Sequence, residues 1–384
     1  MKENTPKAKP KSKSQKLESA KNAPTAKNAP TAKTEQTATL PTTKEKVLSL
    51  LNFQNGKQIS GQKIAEELDI TRASVWKAIK SLREQGFQIE ATTNGGYLLC
   101  DTDVLNEQIF KNEILKNQPN FQTEKIHFFT EIDSTNSYAK ELLARTNAEK
   151  LDGSIILAES QTLGRGRLGR TFYSPNKNGI YLSIIYAPNS GINNPAKITA
   201  FSAVAVVRAI KKLYSLQTEI KWVNDIYADS KKICGILTEG ITNFETGKID
   251  AAVIGIGINI KKSSQLPQDV SQIAGDIESA CIRKDNAKCE RSKKCESLNR
   301  SKLATQVALE VLSIMNEDYK HVMEEYKSYS FLVGKTVTVY PVIDEYKSSY
   351  QAKVIDIDEN ANLVVKLDDG SVRSLSSGEV SLHG

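Results

Sequence analysis

Histidine is almost missing from this chain. Only His127, His321 and His383 occur in 384 residues, which disfavours chemistry built on a histidine base or a histidine-activated nucleophile. Long apolar runs are missing as well. The longest candidate, Ala251 to Ile260, is ten residues with two glycines. That is far short of the roughly 18 residues that span a bilayer, so it reads as a buried strand and no membrane partner is expected. Cysteine is sparse and odd in number, at 100, 234, 281, 289 and 295. No apolar leader stands at the N-terminus, and a reduced cytoplasm is the expected setting. The spacing of Cys281, Cys289 and Cys295 fits no common zinc pattern, which leaves a polar loop as the simpler expectation.

The body of the chain also lacks an excess of one charge. The net charge is +7, and residues 1–42 hold nine Lys against three Glu, so the remaining 342 residues carry about +1. Any nucleic-acid contact must therefore come from a local patch. Residues 1–42 themselves are Lys, Ala, Pro and Thr with the hexad KNAPTA repeated at 21–26 and 27–32. Such a segment buries too little apolar surface to offset its ordering entropy and reads as a solvated tail, with a weak DNA tether as the alternative. It has no Arg, which argues against a transit peptide.

Residues 43–100 contain the clearest local pattern. Val47, Leu48 and Leu51 are spaced for a first helix; Ser60 is a plausible cap for a second with Ile64 and Leu68 inward; Thr71 caps a third that runs to Gln85 and stops at Gly86. Asp69 and Ile70 leave only a short link between the second and third. Phe87–Ala91 and Tyr97–Leu99 then read as a hairpin around Asn94 and Gly95. Helix, tight turn, basic helix and hairpin make a winged helix-turn-helix. On the third helix Val75, Ile79 and Leu82 face inward, so Arg72, Ser74, Lys77 and Lys80 are the candidate DNA contacts. Trp76 reads as wing or interface packing.

Residues 101–330 read as a mixed α/β domain. Strands are expected at 126–130, 153–159, 179–187, 218–223, 232–239 and 249–260, and helices from Asp133 to about Arg145, over 194–214 and over 301–327. Successive strands without an intervening helix argue against a doubly wound parallel sheet. Residues 262–300 read as an irregular polar insertion. Residues 331–384 switch to period-two alternation, with strands at 336–340, 351–357, 363–367 and 371–374 and a turn at Asp369-Gly370, as in a small β-barrel.

Four clusters carry chemistry. Gly164-Arg165-Gly166-Arg167-Leu168-Gly169-Arg170 combines close backbone approach with three fixed cations, which suits a polyphosphate or an acyl phosphate. It is neither a Walker loop nor a dinucleotide fingerprint. Lys221-Trp222-Val223-Asn224-Asp225 followed by Lys231-Lys232 offers Asn224 and Asp225 for Mg²⁺ or nucleotide oxygens. It also offers a strand-borne lysine for a carboxylate, with the choice between Lys231 and Lys232 open. Gly255-Ile256-Gly257-Ile258-Asn259 puts bare backbone on one face of a strand, where a flat ligand can lie on the main chain. Asp133-Ser134-Thr135-Asn136 is a run of helix-capping types that can also present hydroxyls and N–H groups to a small polar ring, with Gln161 adding an amide. Ordinary turns, caps and close strand packing account for each cluster taken alone.

Taken together and in order, DSTN (133–136), ESQTLGRGRLGR (159–170), KWVNDIY (221–227), KKICGIL (231–237) and IGIGIN (254–259) resemble the biotin protein ligases, or biotin–[acetyl-CoA-carboxylase] ligases. The winged helix in front resembles the bifunctional form that is also the biotin operon repressor, and the GEVSLHG ending (378–384) fits the same family. The resemblance covers about residues 43–384. It implies a multidomain α+β chain: a winged helix, a catalytic domain related to class II aminoacyl-tRNA synthetases, and an SH3-like β-domain. It also implies that biotin and ATP, with Mg²⁺, give biotinyl-5′-AMP. Biotin then moves to a lysine of the biotin carboxyl carrier protein of acetyl-CoA carboxylase, and the adenylate drives homodimerisation on operator DNA of biotin synthesis genes.

Site roles follow from the same resemblance. Ser134, Thr135, Asn136, Gln161, Gly255 and Gly257 would serve biotin. Arg165, Gly166, Arg167 and Lys232 would meet its carboxylate and phosphate, with Arg165, Arg167 and Lys232 catalytic. Gly164, Gly169, Arg170, Phe172, Asn224, Asp225 and Asn259 would serve ATP, with Asp225 as a Mg²⁺ ligand. Val223 stands where the family often has Pro, Leu168 where some members have another Arg, and Cys234 is expected to be a packed thiol. A ligase with a silent winged helix, and a sensor without ligase activity, are the alternatives.

Overall fold

A computed structural model describes residues 41–382, leaving out 55, 93–94, 101–102, 193, 244–246, 289–297 and 342–348. The tail through residue 40, Asn94 of the wing turn, Cys289, Cys295 and His383 therefore lie outside the described residues.

Thr42 caps α1 (Thr43–Phe53), with Glu45 closing a capping box. Ser60 caps α2 (Gly61–Leu68) and Thr71 caps α3 (Arg72–Glu84). Asp69 turns the chain between them in a left-handed conformation, φ 51°. Val47, Leu48, Leu51, Ile64, Val75, Ile79 and Leu82 close a small core of their own. β1 (Ile89–Thr92) and β2 (Gly96–Leu99) pair antiparallel as the wing. Arg83 donates to the Ile89 carbonyl at 2.6 and 2.9 Å, fixing the wing to α3.

The next element has no counterpart among the expected ones. Asn106 caps α4 (Glu107–Asn117), whose two faces belong to two different cores. Ile109 is buried with the winged helix, whereas Phe110 and Ile114 are buried with the catalytic core. Asn112, itself buried, exchanges hydrogen bonds with Ser49 of α1 at 2.9 and 3.1 Å. Three apolar residues split between two partners leave no single-faced stripe to read from sequence.

The catalytic sheet has seven strands. β3 (Ile126–Phe129) is followed by α5 (Thr135–Arg145), the single turn α6 (Ala148–Leu151) and β4 (Ile155–Ala158), which pairs parallel with β3. β5 (Gly179–Tyr186), α7 (Pro195–Tyr214), β6 (Glu219–Lys221), β7 (Asp225–Ala228), β8 (Lys231–Thr242) and β9 (Ile249–Asn259) follow. The order β3-β4-β5-β9-β8-β7-β6 is otherwise antiparallel, as the lack of intervening helices implied. β7 is a further strand, because the Asn-Asp turn is tighter than expected and Asp225 already pairs with Lys221. α5 packs on one face against Ile156, Ile185, Ala251 and Val253. The opposite face, with Leu182, Ile184, Ile254, Ile256 and Ile258, is covered by α7.

Two expectations are corrected in the next stretch. Residues 262–300 are not irregular throughout: α8 (Gln268–Ile273) and α9 (Ile277–Lys288) occupy much of them. Asp276 caps α9 by accepting from the Ser279 amide at 2.8 Å, and Ile277, Ala280 and Cys281 are fully buried. The apolar signal is one short triplet in a polar segment, too sparse to show periodicity. The single helix expected over 301–327 is two, α10 (Arg300–Ile314) and α11 (Tyr319–Tyr329). Asp318 caps the second by accepting from the His321 amide at 3.0 Å, which breaks the run.

The last five strands, β10 (Thr336–Tyr340), β11 (Tyr350–Ile357), β12 (Leu363–Lys366), β13 (Val372–Leu375) and β14 (Glu379–Leu382), form an antiparallel sheet in the order β13-β12-β11-β10-β14. A bulge between Val354 and Asp356 bends it. β14 is one strand more than expected; its Glu-Val-Ser-Leu alternation is only four residues long, too short to stand out in sequence. No helix among the described residues is long and apolar enough to cross a membrane. Because α4 seals the catalytic core through Phe110, Phe110→Ala should lower unfolding free energy by about 3–5 kcal/mol. A urea titration followed by circular dichroism measures this.

Candidate functional site

The site begins with side chains that are not there. Gly255 on β9 faces Leu237 on β8 and Ser183 on β5, and Gly257 faces Gly235 and Tyr181. This leaves a strip of bare backbone across the middle of the sheet. A Cβ on Gly255 would sit 2.3 Å from the Asn136 Oδ1 atom, and one on Gly257 would sit 2.4 Å from the Phe172 ring. Gly255 and Gly257 both line the cleft, as a ligand lying on this backbone requires. Asn136 and Phe172 occupy the strip, and a ligand would meet those two side chains as well.

Over the strip lies a cleft of about 500 Å³. Ser134 caps α5, and the start of that helix forms the inner end. The Ser183 hydroxyl donates to Asn136 Oδ1 at 2.6 Å and lies 2.7 Å from Thr135 Oγ1. Gln161 Oε1 accepts from the Thr135 amide at 2.8 Å and its hydroxyl at 3.1 Å, while Gln161 Nε2 donates to Ser174 at 2.8 Å. Asn136 Nδ2 donates to Glu239 at 2.8 Å, and Lys140 pairs with the other Glu239 oxygen at 2.7 Å. Burial raises the Glu239 pKa, but these two partners outweigh it and hold the carboxyl below the ordinary range. The result is a polar floor whose members orient one another.

The middle of the cleft is cationic. β8 carries a bulge opposite Ile226 and Tyr227, which turns Lys232 onto the face of Gly235. The lysine's Cε and the Phe172 ring would lie 3.3 and 3.4 Å from a Cβ built there. Lys232 Nζ is 2.7 Å from Asp225 Oδ1. Lys231 donates instead to the Gln272 carbonyl, and of the two lysines Lys232 is the one that lines the cleft. Lys221, also in the lining, is held below the ordinary lysine range by burial, with Asp225 opposing that shift. Cys234 is fully buried, free and pushed up by burial, a packed thiol as expected.

The outer wall comes from the glycine–arginine loop and the β-domain. Arg167 donates to Asn224 Oδ1 at 3.1 Å and to the Gly378 carbonyl at 3.3 Å. Arg170 pairs with Glu379 at 2.6 Å. Arg165 and Gly166 also line the cleft, and Arg165 has no ion-pair partner among the described residues. Gly164 does not reach the lining; a Cβ there would strike the Phe172 carbonyl at 2.2 Å, so this glycine lets the two arms of the loop pair. Gly169 (φ 74°) serves the turn outside the cleft. Asn259 is likewise outside, donating to the Gly275 carbonyl at 3.0 Å.

Several lining residues were not singled out from sequence. Trp222 lies in the wall and its indole donates to the Ala361 carbonyl of the β-domain at 2.8 Å. The Trp222–Val223 peptide is cis, and Tyr326 donates to the Val223 carbonyl at 3.1 Å. Tyr340, Gly378, Glu379 and Ser381 come from a different domain, and nothing local marks them. Glu239 and Ser183, which brace Asn136 from beneath without lining the cleft, were findable: both continue the two-residue alternation from Gly235 and Tyr181.

A divalent ion was expected at Asp225. That carboxylate is paired with Lys232 and the nearby Glu379 with Arg170, and no group of three metal-ligating side chains occurs among the described residues. The donor set suits a Mg²⁺ ion carried in on phosphates, with one protein carboxylate near it, rather than a protein-built cage. On α3, Arg72, Lys77 and Lys80 are exposed, whereas Ser74 Oγ is 2.8 Å from Thr71 Oγ1. Trp76 is 57% exposed, with Lys80 over its ring, rather than packed under the wing.

A winged helix, a mixed sheet with a lysine–arginine cleft and a β-domain that walls it together define a ligase-type catalytic unit joined to a DNA-binding module. The family models agree: HTH domain over residues 43–98, Biotin/lipoate A/B protein ligase family over 128–259, and Biotin protein ligase C terminal domain over 343–383. The bifunctional ligase/repressor BirA of Bacillus spizizenii is 28% identical over 351 residues, covering 89% of this chain and 99% of that protein. The BirA of Escherichia coli is 31% identical over 220 residues, 57% of this chain and 64% of that one. The biotin protein ligase from Aquifex aeolicus, solved with biotin and ATP, shares the fold with a TM-score of 0.53 and 22% identity, over 67% of this chain and 98% of that one. The chain thus carries the three domains of a biotin protein ligase with a helix-turn-helix in front, and is similar to the bifunctional ligase/repressors over nearly their whole length.

The depressed Glu239 carboxyl yields a pH prediction. Its charged form is favoured in the folded state, so its contribution is full above the ordinary glutamate pKa and is lost as pH falls. Denaturant unfolding of Glu239→Gln and the parent should differ most at pH 7, and the difference should shrink below about pH 4.3.

Proposed function

We propose that this chain joins biotin and ATP to form biotinyl-5′-AMP and then transfers biotin to a lysine of a biotin carboxyl carrier protein. The observation that carries this reading is the meeting of Lys232, Arg165 and Arg167 with the polar floor of Thr135, Asn136 and Gln161 in one cleft. In the first step a biotin carboxylate oxygen bonds to the α-phosphorus of ATP as the bond to the β-phosphate oxygen breaks, and pyrophosphate leaves. In the second, the carrier lysine nitrogen bonds to the acyl carbon and AMP leaves. Both steps develop negative charge on oxygen, which fixed cations stabilise by position and field.

In this reading Ser134, Thr135, Asn136 and Gln161 orient the ureido head, which both donates and accepts. Lys232 neutralises the carboxylate. Arg165, Gly166 and Arg167 cover the acyl phosphate. Arg170, Phe172, Asn224 and Asp225 face the nucleotide, where a Mg²⁺ ion would offset phosphate charge. Arg72, Lys77 and Lys80 of α3 contact operator DNA of biotin synthesis genes, and adenylate-bound chains act as a cytoplasmic homodimer on it.

Pyrophosphate should be released with biotin, ATP and Mg²⁺, and not with lipoate or octanoate in place of biotin. Lys232→Ala should cut that rate by about 10²–10³; full activity in the variant would remove Lys232 from the mechanism. No release with biotin would leave a sensor or a ligase for another acid. For the DNA face, Arg72→Ala and Lys77→Ala should each weaken operator binding and lower its salt dependence by roughly one unit of slope. Gel-shift titration at several salt concentrations reads both. Unchanged affinity in both variants would exclude this face.

A further inference from the structure

The glycine–arginine loop occupies residues 160–177, between β4 and β5, and carries Gln161, Arg165, Arg167, Arg170 and Phe172. Its two ends meet at one carboxylate. Glu159, at the end of β4, accepts from the Lys177 amide at 3.0 Å, just before β5 begins. The same Oε1 atom accepts from Arg300 Nη1 at 2.7 Å. Arg300, the first residue of α10, is only 2% exposed.

Its remaining donors go to a segment of different origin. Arg300 Nε donates to Asp103 Oδ1 at 2.9 Å, its amide to the same oxygen at 3.1 Å, and Nη2 to the Asp103 carbonyl at 3.3 Å. Next to it, the Ser301 hydroxyl donates to the Val104 carbonyl at 3.0 Å. Lys261, just after β9, holds the other Asp103 oxygen at 2.5 Å. Residues 103–104 lie between the wing and α4. Burial alone would lower the Arg300 pKa, but Asp103 and Glu159 more than compensate. One guanidinium thus spans two carboxylates, using the planar fork that lysine lacks.

We infer that Arg300 is a positioning residue for the acid-activating site: through Glu159 it closes the base of loop 160–177, and through Asp103 it fastens that base to the segment leaving the winged helix. It touches no substrate. This rests on the biotin-ligase reading of the cleft for its kinetic consequence, but not for its structural one. The Oε2 atom of Glu159 is buried with no hydrogen-bond partner among the described residues, so the carboxylate depends on the single oxygen that Arg300 and Lys177 share. The loop base should loosen when either end of the Arg300 fork is lost.

The test compares Asp103→Asn and Arg300→Lys with Glu317→Gln. The last weakens a second arginine network, around Arg208, far from the loop in the chain. Without ligand, trypsin cuts after Arg165, Arg167 and Arg170, quantified by mass spectrometry, should run about five-fold faster in the two cluster variants than in the parent. Glu317→Gln should match the parent. With biotin and ATP, the same two variants should raise the KM for biotin by about five-fold with kcat changed less than KM. Loop cleavage and biotin KM both equal to the parent in folded Asp103→Asn would overturn the inference, as would an equal acceleration in Glu317→Gln. If the parent releases no pyrophosphate with biotin, the ligase reading fails, and the cleavage rates alone still decide the role of Arg300.

Discussion

The cleft depends on one packing constraint: at three positions on the cleft face of two neighbouring strands the sheet carries no side chain. Gly235, Gly255 and Gly257 fall side by side because β8 and β9 pair in one register, and a slip by one residue would carry isoleucines onto that face. The space they leave is filled from both sides, by Asn136 from the start of α5 and by Phe172 from the returning arm of the loop. Those two side chains fix where the helix and the loop sit, and so where the hydroxyls and the cations meet. The bulge beside Ile226 completes the arrangement by turning Lys232 to the same face.

The cations are held in unequal ways. Arg170 and Arg167 are tied to the β-domain through Glu379 and Gly378, and Lys232 is tied to Asp225. Arg165 is exposed at the mouth. A polyanion entering the cleft would therefore meet Lys232 and Arg170 already paired with carboxylates, Arg167 held by neutral acceptors, and Arg165 with no ion-pair partner among the described residues. Exchange of partners, rather than creation of charge, is the electrostatic event such a site supports. That keeps a cationic pocket stable in a body whose net charge is close to zero.

Much of this was legible in sequence, for reasons that can be named. The winged helix was readable because caps, periodicity and a turn signal agree within 58 residues. The glycine, arginine and lysine motifs were readable because their spacing is local. α4 was not, since its apolar residues serve two cores, and neither was the wall from Gly378 to Ser381, which joins the site only through tertiary contact. Lys231 and Lys232 could not be told apart, because a bulge is a property of the pairing and not of either residue. Gly164, Gly169 and Asn259 carry family-motif positions but support backbone geometry around the cleft rather than lining it.

The division of α4 between two cores has a consequence for modularity. Ile109 belongs to the winged helix and Phe110 and Ile114 to the catalytic core, so no cut between residues 100 and 120 yields two clean halves. A fragment ending before α4 would lose part of its own interior, and one ending after it would carry a phenylalanine and an isoleucine into water. Recombination that shuffled a DNA-binding head onto this enzyme would have had to transfer the adapter helix or rebuild it. The two parts share one helix, and a chain without the head would expose the face of α4 that Ile109 now buries against it.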